Sequence, residues 1–503
     1  MSRMLVACLC AGLCLSPAAG AEIRTTLYTY TPEGLVASID GPRTDVEDIT
    51  SFTYDAAGNR TEMINAIGHI TRYIEYDATG RLLRMIDPNG LETEFTYHPR
   101  GWLESHTLSG DGSLATTTYG YDATGNLVRI TLPSGGQLKL SYDAASHLTA
   151  ITDNEGNQQR YTLDNMGNRI TEEFRDPGNA VSFTLRRVYD TLNRMRQQLG
   201  ATRGRETTIN YDANGNVTDL TDGLNRTSSY IYDPLNRLIR KLDAAGGETG
   251  FVYDSRNNLT KIIDPLGNAT LYEHNAFDEK TTQVSPDTGR SSYSYDTAGN
   301  LSSVTDARGI TVSYSYDALN RLASIRYPDS SLDVTFVYDQ GPYGLGRLTR
   351  MRDANGATEY RYDQRGNLVR EIRNSAELEL VAEYEYDTFG RLARFTYPSG
   401  HKVHYQYDAQ GRPISVSLER PDGHLQTLVD NLIYLPFGPA ASIGYGNGMT
   451  LERTYDQDYR LIHQQIAEIS DTSYELDPAD NIVAWWDLQN PNRDQTFGYD
   501  ALD

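Results

Sequence analysis

Three places in this 503-residue chain carry residue types that could do chemistry. Ala440-Ala441-Ser442-Ile443-Gly444 approximates a nucleophile elbow, in which a serine sits on a sharp strand-to-helix turn. That motif needs a helix after the serine. The segment that follows, Tyr445-Gly446-Asn447-Gly448, is too glycine-rich to form one, so the stretch reads as a worn hairpin. His401 and His404 would suit a metal pair. They follow Gly400 in a segment that reads as a strand, where a spacing of three places side chains on opposite faces. Asp87-Pro88-Asn89-Gly90 and Asp264-Pro265-Leu266-Gly267 each set an acid beside a proline. No zinc, phosphate-loop or dinucleotide fingerprint is present. The sequence therefore predicts no catalytic residue, no cofactor and no bound metal.

Carboxylates are abundant, but their positions recur, and the recurrence points to the backbone. Tyr-Asp occurs sixteen times, mostly 21 or 22 residues apart, and worn copies in the larger gaps bring the total to 21. With the tyrosine as position 0, the copy from Tyr295 places Gly299 at position 4, Asp306 at position 11 and Gly309 at position 14. Two turn signals about ten residues apart, separated by short runs of Val, Ile, Thr and Tyr, predict a β-hairpin unit. Val312, Tyr314 and Tyr316 share one face; Thr311, Ser313 and Ser315 share the other. The sheet is expected to bury its aromatic face only.

Position 4 is the informative one. In the 20 copies without an insertion at this turn it is Gly eleven times, Asn four times and Asp three times, with Ser146 and Tyr459 as the others. Gly, Asn and Asp tolerate positive φ, as a type I turn followed by a left-handed residue requires. The Asp at position 1 would cap the turn through its side chain. The predicted turn residues are Asp55 and Gly58, Asp122 and Gly125, Asp233 and Asn236, Asp296 and Gly299, Asp317 and Asn320, and Asp387 and Gly390.

The N-terminus differs. Ser2-Arg3, an apolar run over 4–15, and Ala19-Gly20-Ala21 predict a secretory signal peptide over 1–21, cleaved after Ala21. The chain would then be extracellular, at the cell surface or periplasmic. Cys8, Cys10 and Cys14 all lie inside that signal, so stability must come from packing and strand ladders. A net charge of −23 disfavours nucleic acid and anionic lipid as partners. The mature part contains no run long enough to span a bilayer. The expected organisation is the signal, an N-terminal segment over 22–50, and a repeat region over 51–503. Trp485-Trp486 is an aromatic pair off the pattern and reads as packing at the end of a repeat. Residues 175–185, 340–346, 373–381 and 419–434 break the period and are expected to be loop insertions, where partners would bind.

YDAAGNR (54–60), YDATGNL (121–127), YDPLNRL (232–238), YDTAGNL (295–301), YDALNRL (316–322) and YDTFGRL (386–392) together resemble the RHS or YD-repeat family, over roughly 50–503. The family includes RHS polymorphic toxins, the C-component of Tc toxins, wall-associated proteins and the teneurin shell. The resemblance implies an all-β array of about 21 hairpins in a spiralling antiparallel sheet, forming a partial hollow shell. In toxin members that shell encloses a C-terminal effector. The toxin self-cleavage motif is DPxG. Here both such tetrads sit at position 11, and Leu82 and Leu259 stand where the family has an upstream proline, so no protease role carries over. The pattern breaks off in a turn at Tyr499–Asp503, which implies a shell incomplete at its C-terminal end and lacking an effector. The function this implies is a secreted, non-catalytic scaffold whose partner would be a C-terminal toxin domain. The alternative is a module that binds cell wall, carbohydrate or a surface protein.

Overall fold

The structure, a computed structural model, describes residues 23–375 and 377–502. The expected signal peptide and its cleavage point after Ala21 lie outside the described residues. The described chain forms 43 strands, β1 (Leu27–Tyr30) to β43 (Gln495–Thr496), with two three-residue 3-10 turns, Ser330–Leu332 and Pro491–Arg493, as its helical elements. Each strand pairs antiparallel with the strand before and the strand after it, for example β25 (Gly289–Tyr295) with β26 (Leu301–Thr305), and β26 with β27 (Thr311–Tyr316). The result is one uninterrupted meander.

A flat meander of this length would never bring its own edges together. The repeat curls it with a bulge. Tyr295 faces Leu301, whereas Ser294 faces Ser303, so β26 spends one extra residue, Ser302. The same shift precedes Tyr316, Tyr386 and Tyr407. The second turn of most units carries no such shift: Thr305 faces Thr311 and Ser303 faces Ser313 in register, and the shifts at Phe174/Arg175 and Val416/Ser417 fall where the period is broken. A bulge at one side of every unit raises the local twist always in the same sense, and the strip coils.

The coil closes on itself. Arg43 precedes β3 (Ile49–Tyr54) and its Nη1 donates to the carbonyl of Asp317, which follows β27, at 3.0 Å. One winding therefore spans about 25 strands. At about 4.8 Å per strand its circumference is about 120 Å and its diameter about 38 Å.

The wall is a single layer. Among the described residues no large side chain is fully buried, and the buried apolar set is short, including Tyr161, Ile372, Val403 and Leu451. This departs from the expected one-sided burial. With no second layer to cover it, the aromatic face is shielded laterally: Tyr314 and Tyr316 are half-buried under their neighbours. The period-breaking segments also differ from expectation. Residues 175–185 and 419–434 mostly lengthen strands, giving β15 (Val181–Tyr189) and β37 (Leu425–Tyr434). Residues 373–381 likewise extend β32 (Leu368–Asn374) and β33 (Glu379–Tyr386). Residues 340–346 form a loop that meets the first winding, where Leu345 N–H donates to Asn89 Oδ1 at 3.0 Å.

Candidate functional site: the repeat turns and the seam between windings

The aspartate at position 1 organises each first turn. Asp296 Oδ1 accepts from the N–H groups of Ala298 and Asn300, both at 2.9 Å, while Oδ2 accepts from Asn300 Nδ2 at 3.0 Å. Asp55, Asp122, Asp233, Asp317 and Asp387 accept the same pair of backbone donors, two and four residues on. Hydrogen bonds from the Asn59 side chain and backbone hold the Asp55 carboxyl below its ordinary range. Gly58, Gly125, Gly299 and Gly390 adopt φ of +84°, +98°, +87° and +81°, and Asn236 and Asn320 adopt +60° and +59°. Ser146 and Tyr459 are left-handed as well, at +65° and +59°. Gly438 is an exception: in Leu435-Pro436-Phe437-Gly438 the positive φ falls on Phe437, at +50°, as in a type II turn with proline leading.

Two further contacts join consecutive repeats, and neither was anticipated. The position-0 tyrosine donates its hydroxyl to the position-6 carbonyl of the preceding copy: Tyr316 to Leu301 at 3.0 Å, Tyr142 to Leu127 at 2.9 Å, Tyr407 to Leu392 at 2.8 Å. The position-5 side chain lies over position 4 of the following copy. Asn300 Nδ2 donates to Asn320 Oδ1 at 2.8 Å, Asn168 Nδ2 to Asn193 Oδ1 at 3.1 Å, and Asn126 Nδ2 to Ser146 Oγ at 3.1 Å. At several copies with a bulky position 5 the next position 4 is glycine, whereas Arg237 and Arg460 donate to Asn257 Oδ1 and Asp480 Oδ1 at 3.0 and 3.1 Å. A Cβ at Gly125 would stand 2.7 Å from Trp102, at Gly167 3.0 Å from His147, and at Gly366 2.7 Å from Arg347. The signal lay in the sequence as a coupling between positions 5 and 4 of neighbouring copies.

The seam is the second structure that no local pattern announces. It joins the second turns of the first winding to the Tyr-Asp turns of the next. Arg24 forms a paired salt bridge with Glu279 at 2.7 and 2.9 Å and reaches the Asp296 carbonyl at 3.2 Å. Arg43, held by Asp45, donates to Tyr316 O, Asp317 O and Asn320 Oδ1 at 3.2, 3.0 and 3.1 Å. Gln364 bonds Asp111 and Gly90, and Arg412 pairs with Glu155 at 2.6 Å. Near the far end Asp458 accepts from the N–H groups of Ala201 and Thr202 at 2.8 and 2.9 Å, and Arg205 bridges to it and to Asp480. Burial pushes the Asp458 carboxyl up, but the bonds from Thr202 and Ala201 and the Arg205 charge hold it below its ordinary range. Tyr459 packs at a tilt against Phe174 and Phe183, with ring centroids 5.9 and 5.3 Å away, so the odd residue at position 4 is an aromatic lock across the seam.

The remaining candidates are placed plainly. Ser442 lies inside β38 (Ala440–Tyr445), with no helix after it, and donates to Glu452 at 2.9 Å. His404 faces Glu419 at 2.9 Å and His401 faces Ser399 at 3.0 Å, so the two do not meet. Asp87 and Asp264 cap second turns, and Asn89 of the first tetrad bonds Leu345 across the seam. Trp485 is half-buried, whereas Trp486 on the other face is 37% exposed. Among the described residues no cluster of three or more His, Cys, Asp or Glu could hold a metal ion. No helix among them is long and apolar enough to cross a membrane, which says nothing of β-barrels.

A single-layer strip of Asp-capped hairpins, wound until its own edges interlock, defines a coiled β-shell protein. The chain belongs to the Teneurin YD-shell family, whose model matches residues 38–197, 154–343 and 278–427. No curated protein matches it significantly. The fold resembles that of TcdB2-TccC3-Cdc42, with a TM-score of 0.74 at 14% identity, covering 92% of this chain and 32% of that one. It also resembles TcdB2-TccC3 itself, with a TM-score of 0.69 at 15% identity, covering 92% and 30%. A Photorhabdus luminescens Tc holotoxin pore gives 0.67 at 14%, covering 92% and 32%. The chain thus spans about a third of the length of these relatives.

Proposed function

We propose that this chain is an exported, non-catalytic scaffold: a YD wall that encloses or presents a toxin component. The seam carries this reading. Contacts such as Arg43 to Asp317 and Asp458 to Ala201 turn an open strip into a closed wall around an interior, which a surface module without a lumen would not need. The solved structures of like fold are toxin complexes, which favours a toxin partner. The extracellular or periplasmic location rests on the N-terminal sequence over 1–21.

The test is a protease-sensitive reporter peptide joined after the last residue of the chain. Protection of the reporter, lost when the seam is weakened by Arg43→Ala, is the expected result. Cleavage as fast as that of the free peptide would sink the enclosing role. Hydrolysis of a test ester that disappears in Ser442→Ala would sink the non-catalytic one.

A further inference from the structure

Among the described residues one histidine pairs with a carboxylate across the seam. Asn65-Ala66-Ile67-Gly68-His69 is a second turn of the first winding, in which Asn65 Oδ1 accepts from the N–H groups of Ile67 and His69 at 3.2 and 2.9 Å. His69 occupies position 15 of its copy. Asn157 and Asn268 stand there in theirs, and each bonds back to the aspartate that opens its own turn, at 2.8 Å. His69 instead faces out of its turn. It is 8% exposed, and its Nε2 lies 3.4 Å from Oδ1 of Asp339 in the following winding.

Asp339 anchors the 340–346 loop. Its Oδ1 accepts from Gly346 N–H at 2.6 Å and from Arg321 Nη1 at 3.1 Å, and its Oδ2 accepts from Arg321 Nη2 at 2.6 Å. Arg321 also donates through Nε to Asp317 Oδ2 at 2.7 Å. Burial pushes the Asp339 carboxyl up, but Arg321 and the Gly346 N–H hold it below its ordinary range. The ionised groups around His69 are therefore Asp339 directly, with Arg321 and Asp317 behind it: two carboxylates against one guanidinium. Arg43, beyond them, is already matched by Asp45. A neutral His69 leaves one negative charge of this group uncompensated, and an imidazolium cancels it. The separation of 3.4 Å is longer than the about 2.8 Å of a charge-assisted N–H to oxygen bond, so the pair has room to close.

We propose that His69 makes the seam pH-sensitive: its protonation ties the turn at 65–69 to Asp339, so the windings hold most tightly in mild acid and loosen at 340–346 toward neutral pH. The charged form has a partner in the folded chain that it lacks in the unfolded one. The stabilisation is therefore complete at the acid end and is lost as pH rises through the range in which imidazole gives up its proton, ordinarily about 6.5. Other histidines that face carboxylates do so within one winding. His147 meets Asp143 inside one turn, and His404 and His463 meet Glu419 and Asp471 on the adjacent strand. Their protonation stiffens a hairpin and leaves the seam as it is.

Hydrogen–deuterium exchange of the full chain at about pH 5.5 and about pH 7.5, corrected for intrinsic exchange rates, tests this. The peptide to follow contains Leu345 and Gly346, whose N–H groups bond Asn89 and Asp339. Protection there is expected to be about threefold to tenfold greater at the acid pH. His69→Asn should remove the difference, and asparagine is native at position 15 in other copies. His69→Gln, with its fold checked by circular dichroism, should do the same. His463→Gln should leave the difference intact. Equal protection of the wild type at the two pH values, a difference that survives the His69 substitutions, or one that His463→Gln abolishes would each overturn the proposal.

Discussion

Arg43 and Asp317 stand 274 positions apart in the chain, and the Arg43 Nη1 to Asp317 O bond of 3.0 Å joins one winding of the sheet to the next. The Arg43 side chain is only 2% exposed, so its charge is satisfied by carbonyls and by Asp45 instead of water. Arg43→Ala should lower stability by about 1.5–3 kcal/mol, the range for hydrogen bonds to a charged group. Repeat arrays unfold in parts. The effect should therefore be read as faster proteolysis near 317–320 together with a lower urea midpoint.

Two glycines at the same repeat position should respond differently to the same substitution. A Cβ at Gly299 would lie 3.0 Å from both Arg24 Nη1 and Glu279 Oε1, whereas a Cβ at Gly390 meets nothing within 4 Å. Asparagine tolerates the left-handed backbone at either place. From local turn chemistry alone, Gly299→Asn would be mild. The seam reverses that expectation. Gly390→Asn should cost less than about 0.5 kcal/mol and Gly299→Asn about 1–2 kcal/mol, as strain on a packed ion pair. Equal thermal midpoints would refute the seam at Arg24.

The aromatic lock balances strain against packing. Tyr459 holds φ of +59°, which costs about 1 kcal/mol or more in a bulky residue. Tyr459→Asn relieves that strain but removes the packing on Phe174 and Phe183. Loss of a half-buried aromatic should dominate, with net destabilisation of about 1–3 kcal/mol. A more stable variant would show that the packing contributes less than the strain costs.

Alkaline pH should weaken the wall through its tyrosines. Burial raises the hydroxyl pKa of Tyr316, Tyr338 and Tyr407 above the ordinary value, and pushes Tyr459 up to about 12. Each folded pKa exceeds its unfolded value. The stabilisation is therefore complete below about pH 10 and is lost as pH rises through the folded values. Denaturant midpoints should fall above pH 10, together with a delayed tyrosinate absorbance. A flat midpoint through that range would count against the Tyr316 to Leu301 bond. Tyr316→Phe should cost about 1 kcal/mol at neutral pH.

Much of the wall was legible in the sequence because its rules are local. A turn five residues long carries its own instructions: Asp296 caps, Gly299 or Asn320 turns left-handed, and alternation sets the faces of Thr311–Tyr316. The spacing of these instructions determined the all-β class and the hairpin unit. The exchange of Gly299 for Asn320 also pointed to positive φ.

The tertiary structure alone decided what those turns touch. Which copies meet depends on how many strands fill one winding, and that number follows from small twists at bulges such as Ser302, summed over about 25 strands. Small changes per unit would move the register by whole repeats, so no single copy encodes it. Only the closed winding shows that Gly299 leaves room for Arg24 while Asn320 accepts from Arg43. It also shows that Tyr459 departs from the repeat because Phe174 and Phe183, from the earlier winding, lie against it.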